Sequence, residues 1–430
     1  MAQSDFYGWK LVAAFWVIVF INLAFAAYGA PVMNGYMAAD FHLSRKAAGL
    51  PYAVYTVMSG VPGPLVALCI ARFGVRRTVV LGSLLLVAGS VAMATLVHGI
   101  TGAVICAGVI IGLGVVSGGP IGIQPGVAQW FVRRRALALA IVYSAGGVGG
   151  FVAAQWVLNP VITAYGGNWR AGWWVMAALA GVAAVIAALF IRDRPADLGQ
   201  VPDGVREPAT AGAAARIRPA PSFITQEAWS FGEVLHSGRF WIMVLALCGG
   251  SAGYTLMLAQ GWLHLTDLGH SAAERAAAVS TMTGSTLLGK LALASFGDRF
   301  DPRYIWAIAT VALGGGLILV VDAHSTASLY ICAVSIGFGF GGALVCMMTV
   351  LSNYYGTRAF AAAAGVAAAL NTAVSFFGPV IGGLLYDRLG TYAPAFYSLA
   401  GWCFLGALAL WLVRPPVRGR VAGTAAALGG

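Results

Sequence analysis

The chain has 430 residues, 60% of them hydrophobic and only 9% charged. Soluble domains carry about 25% charged residues, so this composition excludes a soluble globular protein and describes an integral membrane protein. The formal net charge of +11 would fit a nucleic-acid partner only if the basic residues were clustered, and their placement shows that they are not.

Twelve apolar segments of spanning length follow one another, at about 9–36, 47–71, 77–97, 100–127, 136–164, 169–192, 239–265, 273–297, 303–321, 326–353, 359–386 and 392–414. The run from Leu11 to Val32 in the first is too long for a signal-peptide core, so it is expected to stay as a span. Each segment must satisfy its own backbone hydrogen bonds in lipid, which makes all of them helices. The 58 glycines fit helices that approach closely or bend in a bilayer. The longest polar interval, rich in Pro, Ala and charge, separates six spans from six. Its later part, Gln226 to His236, is expected to form a short helix on the membrane surface. The expected fold is an all-α integral membrane protein with twelve transmembrane helices in two six-helix bundles. The bundles cover 1–193 and 238–416, joined by a cytoplasmic linker at 194–237 and followed by a short cytoplasmic tail at 417–430.

With both termini cytoplasmic, nineteen Lys and Arg residues fall inside, including the triplet Arg133, Arg134 and Arg135. Five fall outside: Arg45, Lys46, Arg170, Arg275 and Arg388. This asymmetry is the positive-inside pattern. The basic excess serves topology and anionic lipid, and no nucleic-acid partner is expected. The six cysteines, Cys69, Cys106, Cys248, Cys332, Cys346 and Cys403, all lie in spans. They form no CxxC pair and no metal set, and are read as small apolar residues.

One basic residue remains, Lys290, inside the eighth segment, in T-G-S-T-L-L-G-K-L-A-L-A-S-F-G-D-R-F-D-P-R (283–303). It precedes Asp298, at the start of the polar turn, by eight residues, or roughly 12 Å of helix. In a hydrocarbon core about 30 Å thick, that places it near the middle. A cation there costs about 3 kcal/mol on insertion scales. An unpaired charge at this depth points to an anionic substrate as its partner. The alternative is a lysine bonded to nearby carbonyls or snorkelling to the cytoplasmic side. Polar side chains that could complete a cavity are Tyr28, Gln124, Tyr143, Tyr254, Gln260 and Asn371, each serving there or as glue between helices. Gln124 stands beside Gly118-Gly119-Pro120 and Pro125, which can break the fourth helix and free carbonyls. His264 is expected at the outer end of the seventh helix as an interfacial histidine able to exchange protons.

Three helix tails resemble one another: G-P-L-V-A-L-C-I-A-R-F-G (63–74), F-G-D-R-F-D (296–301) and G-P-V-I-G-G-L-L-Y-D-R-L-G (378–390). Two six-span halves, each with nested inverted repeats, place them at related positions. The turns A-R-F-G-V-R-R (71–77) and G-D-R-F-D-P-R (297–303) resemble the loop motif of the major facilitator superfamily. An acidic residue opens that motif and clamps the cytoplasmic gate. The resemblance implies gating roles for Arg72, Arg76, Arg77, Asp298 and Arg299; Ala71 departs from the pattern, so the gate would be asymmetric. The stretch W-F-V-R-R-R-A-L-A-L-A-I-V-Y-S-A-G (130–146) resembles the monocarboxylate transporter signature, with Ser144 and Ala145 where Ala-Gly is usual. F-Y-G-W-K-L-V (6–12) and R-P-A-D-L-G-Q-V-P-D-G (194–204) are similar to bacterial members of the monocarboxylate and oxalate–formate group. The resemblance covers essentially the whole chain.

In that group an arginine on helix 8 binds the substrate carboxylate, and Lys290 holds its place. Lysine offers a point charge where arginine offers a fork. Mammalian-type members pair this cation with an aspartate one turn earlier, which is Thr286 here. Oxalate exchange uses a further lysine in helix 11, which is missing here. A single cation suits a monoanion. The expected function is secondary active transport of a small monocarboxylate or related organic anion by alternating access, with proton symport as the default coupling. The setting implied is a bacterial plasma membrane, with the protein acting as a monomer. Rival readings are an oxalate–formate type exchanger, an exporter of hydrophobic drugs or metabolites, and a non-transporting sensor. No P-loop, catalytic set or metal cluster is found in the sequence, so neither an enzyme nor a cofactor is expected.

Overall fold

The computed structural model describes residues 6–132, 134–204, 225, 229–296, 299–356 and 359–416. It is all-helical, with no strand among the described residues. Ten stretches are long and apolar enough to cross a membrane: Gly8–Asp40, Gly63–Thr95, Ile100–Trp130, Leu137–Ala164, Trp169–Phe190, Gly238–Asp267, Pro302–Asp322, Thr326–Tyr355, Ala362–Leu389 and Ala393–Leu412. The remaining crossings come from two helices that break the apolar pattern. One begins at Arg45–Met58, turns at 59–62 and resumes at Gly63. The other is Ala272–Phe296, which carries Glu274, Arg275 and Lys290. With these, twelve helices cross, as in the major facilitator plan, and they are numbered 1 to 12 below. Helix 2 spans 45–73 and helix 3 spans 75–95, because the continuous stretch from Gly63 is broken at Gly74 (φ 84°). A Cβ at Gly74 would also lie 2.6 Å from Asp193 Oδ2, so this sharp turn requires glycine.

The core explains the shape. One cluster of buried residues draws on both halves of the chain, from Phe25 and Tyr52 to Trp262 and Tyr392. Two further clusters are separate. One joins Leu11, Phe15, Val75 and Trp130 of the first half. The other joins Phe240, Trp306, Cys346 and Tyr354 of the second. The molecule is therefore fused at one face, here the distal face, and parted at the opposite face, towards Phe6 and Pro416, here the terminal face. Towards the terminal face Leu65 and Leu68 of helix 2, Leu137 and Ile141 of helix 5, and Leu288 and Leu291 of helix 8 are exposed.

Within the polar interval, the described residues form short 3-10 turns at Pro195–Leu198 and Pro202–Gly204. The surface helix expected from Gln226 starts later, at Phe231–His236. A capping box sets that start: Ser230 accepts from Glu233 N–H, and the Glu233 carboxylate accepts from Ser230 N–H.

Candidate functional site

Helix 8 presses one face onto helix 10. A Cβ at Gly289 would lie 2.2 Å from the Phe338 carbonyl oxygen, and one at Gly341 would lie 2.0 Å from that of Thr286. This contact fixes the rotation of helix 8. Its other face meets helix 5 of the first half in an antiparallel register. Gln155 N–H donates to Ser280 Oγ at 3.0 Å, Thr283 enters the space beside Gly150, and Leu287 that beside Gly147. Lys290 lies two turns from Thr283 on that same face. Carried one turn further, the register sets Tyr143 level with Lys290 where the halves part. Lys290 is half-buried, and no hydrogen bond or ion pair to it is found among the described residues. Thr286, where mammalian-type relatives carry an aspartate, is buried and donates to Thr283 O at 2.8 Å.

Above Lys290, towards the distal face, is a group of phenols. Tyr28 lies in a π-helical turn, Phe25–Gly29, a device that re-aims side chains, and it packs beside Gly150 and Thr283. It packs against the buried cluster that holds Tyr52, Tyr55 and Tyr254, in which the Tyr52 and Tyr55 ring centroids lie 5.5 Å apart. Tyr254 stacks on Phe340 at 3.9 Å, and its hydroxyl has no partner. None of the four hydroxyls makes a hydrogen bond among the described residues. Tyr52 and Tyr55 were not legible as site residues, because each reads as one more aromatic in an apolar span. Among the described residues Asn371 also leaves its Oδ1 without a partner, whereas Gln124 is exposed on the terminal half of helix 4.

His264 is not interfacial: it is buried, its Nε2 lies 2.8 Å from Val320 O, and its ring packs against Tyr392 and Phe396. Gln260 is not free to line a cavity. Its amide donates to Arg45 O at 2.8 Å and Pro379 O at 3.3 Å, and its oxygen accepts from Tyr392 O–H at 3.0 Å.

Gln260 belongs instead to the distal closure. The Arg45 guanidinium pairs with Asp267 at 2.5 Å and covers the Tyr386 ring at 4.7 Å. Asp387 accepts the backbone N–H of Arg45 and of Lys46. Burial pushes the Tyr392 hydroxyl above the ordinary phenol range, so it stays a neutral donor. At the terminal face Arg72, Arg76, Arg77 and Arg299 are exposed; Asp298 lies outside the described residues. Among the described residues, the acid engaged in the turn between helices 8 and 9 is Asp301, which caps helix 9, accepts from Tyr354 O–H at 2.9 Å and pairs with Arg303 at 3.3 Å.

The sequence profile of the Major Facilitator Superfamily matches residues 15–283 and 252–428. The chain belongs to that superfamily. It is 25% identical to mouse (Mus musculus) monocarboxylate transporter 6 over 414 residues, covering 92% of this chain and 86% of the relative. Among solved structures it is similar to a bacterial homologue of the human lysosomal transporter Spinster, in an inward-facing and occupied conformation. The TM-score is 0.69 at 15% identity, covering 95% of this chain and 97% of that one. It is also similar to the nucleoside transporter NupG, with a TM-score of 0.70 at 13% identity and coverage of 94% and 100%. These structures share the fold. This superfamily member is a multi-pass membrane transporter resembling monocarboxylate transporters, and not an enzyme.

Proposed function

We propose that this protein carries a small monocarboxylate or related organic anion across a bacterial plasma membrane by alternating access, with Lys290 binding the carboxylate. The observation that carries this reading is a half-buried lysine, unpaired among the described residues, on the face of helix 8 that meets the other half. A lone cation in the bilayer interior is unfavourable by about 3 kcal/mol on insertion scales, and an entering carboxylate offsets that. Tyr143 stands level with it, and Tyr28 and Tyr254 offer hydroxyl donors above it. Gln124 and Asn371 add further polar groups on helices 4 and 11. Both halves of the site come from one chain, so the working unit is a monomer.

The terminal face is assigned to the cytoplasm, because the span order read from the sequence puts nineteen basic residues on that side against five on the other. The structure is then open inward and closed outward. Transport requires the closure around Arg45, Asp267 and Asp387 to open while the turns at Arg72, Arg76, Arg77 and at Asp298, Arg299 close the inner side. Proton symport is the default coupling, because the anion brought to Lys290 can travel with a proton. Oxalate–formate type exchange is the second reading, favoured by the lack of a carboxylate beside Lys290 at Thr286.

The test is uptake of labelled carboxylates into proteoliposomes, with and without an inward proton gradient, for wild type and Lys290→Ala. Saturable, gradient-stimulated uptake of a monocarboxylate that disappears in Lys290→Ala is expected. Gradient-independent uptake that requires internal anion favours exchange. Undiminished uptake by Lys290→Ala removes the anion site and favours export of hydrophobic compounds.

A further inference from the structure

A second basic site stands apart from Lys290. At the terminal face, the turn between helices 2 and 3, the end of helix 4 and the chain leaving helix 6 enclose a cavity of ≈ 470 Å³. Ligand pockets run from about 300 to 1,000 Å³. Arg72, Arg76, Arg77 and Arg194 line it, with Asp193 and Asp197. The two carboxylates are already used in shaping the walls. Asp193 accepts Arg76 N–H at 2.9 Å and fills the space that a Cβ at Gly74 would need. Asp197 accepts Arg194 N–H at 3.1 Å. None of the four guanidinium groups makes an ion pair among the described residues. Four forked donors around one cavity match a phosphate, which guanidinium binds in bidentate fashion.

The surroundings select the source of that phosphate. On helix 3, Arg77, Leu81 and Leu84 share one face by helical spacing, and both leucines are exposed. On helix 2, Leu65, Leu68 and Arg72 do the same, again with exposed leucines. Each arginine thus crowns an apolar stripe running into the membrane, an arrangement that suits acyl chains below a headgroup. Basic pockets at the cytoplasmic ends of helices take anionic headgroups. We propose that this cavity is a binding site for the phosphate of an anionic phospholipid in the leaflet at the terminal face. A lipid held there fills the gap beside helices 2 and 3 in the inward-open form.

The experiment reconstitutes the full chain in phosphatidylcholine vesicles with and without phosphatidylglycerol, then counts retained phosphatidylglycerol by native mass spectrometry. Wild type should retain one molecule. Arg72→Gln/Arg77→Gln should weaken retention about thirtyfold, since each basic residue at an anionic surface contributes roughly fivefold. Arg239→Gln/Arg414→Gln, which removes two exposed arginines elsewhere, should retain lipid as wild type does. Arg72→Lys/Arg77→Lys keeps the topological charge, guards against failed insertion, and should give an intermediate loss. The site is overturned if Arg72→Gln/Arg77→Gln retains lipid as wild type does, or if the distant pair loses as much. Displacement of the lipid by millimolar inorganic phosphate would assign the cavity to a soluble anion and overturn the lipid reading.

Discussion

Asp387, at the end of helix 11, receives the backbone N–H of Arg45 at 2.9 Å across the division between the two halves. It receives Lys46 N–H as well, at 3.1 Å. One carboxylate thus caps helix 2, whose first free N–H groups carry the positive end of the helix dipole. Arg45 adds its own guanidinium to Asp267. A single residue therefore joins helix 2 to helix 7 by its side chain and to helix 11 by its backbone.

Removing this cap should loosen the distal face. Asp387→Ala loses a charged cap worth about 1–2 kcal/mol, which corresponds to roughly a five- to thirtyfold shift in an opening equilibrium. Spin labels at His42 and Ser271, both exposed near the distal face, should show a longer distance component growing in the variant. An unchanged distance distribution would mean that the cap does not hold the closure.

Tyr392→Phe should act in the same direction. It strips the donor from a fully buried Gln260 oxygen, and an unsatisfied buried acceptor costs about 1–3 kcal/mol. The same labels should report opening. Because burial raises the Tyr392 hydroxyl above the ordinary phenol range, its contribution is fully present below the unfolded phenol pKa of about 10. It is lost only as pH rises past that value. Closure measured from neutrality to mildly alkaline pH should therefore show no step from this residue.

Glycine packing sets the rotation of helix 8 and hence where Lys290 points. Gly289→Ala would drive a methyl group into the Phe338 carbonyl oxygen and should lower stability by about 1–3 kcal/mol. Gly315→Ala, with nothing within 4 Å of the added carbon, should leave the melting temperature unchanged or slightly raised. Thermal unfolding in detergent compares the two, and equal melting temperatures would remove the packing argument.

Much of the architecture was legible because lipid enforces it. Apolar length gave the spans, and Lys290 was visible as the one basic residue that topology did not explain. Partners across helices were not legible. Gln260 and His264 look like free polar groups in an apolar run, yet the fold spends both on carbonyls and a phenol. Tyr52 and Tyr55 carry no pattern of their own and join Tyr28 and Tyr254 only when helices 1, 2 and 7 meet. Asp301 was overshadowed by Asp298 three residues earlier, because the resemblance drew attention to the opening acid of the loop. Asp387 appeared only as part of a repeated tail, and its capping role depends on helix 2 beginning at Arg45.

Anion binding at this site depends on the charge of Lys290, and equilibrium affinity reports that charge without transport. The affinity of the monocarboxylate that the vesicles accumulate would be measured in nanodiscs for wild type, Lys290→Gln and Lys290→Arg. At least about a tenfold loss is expected with glutamine, the scale of a charge-assisted hydrogen bond, and retained binding with arginine. Equal affinity for wild type and Lys290→Gln would contradict that dependence.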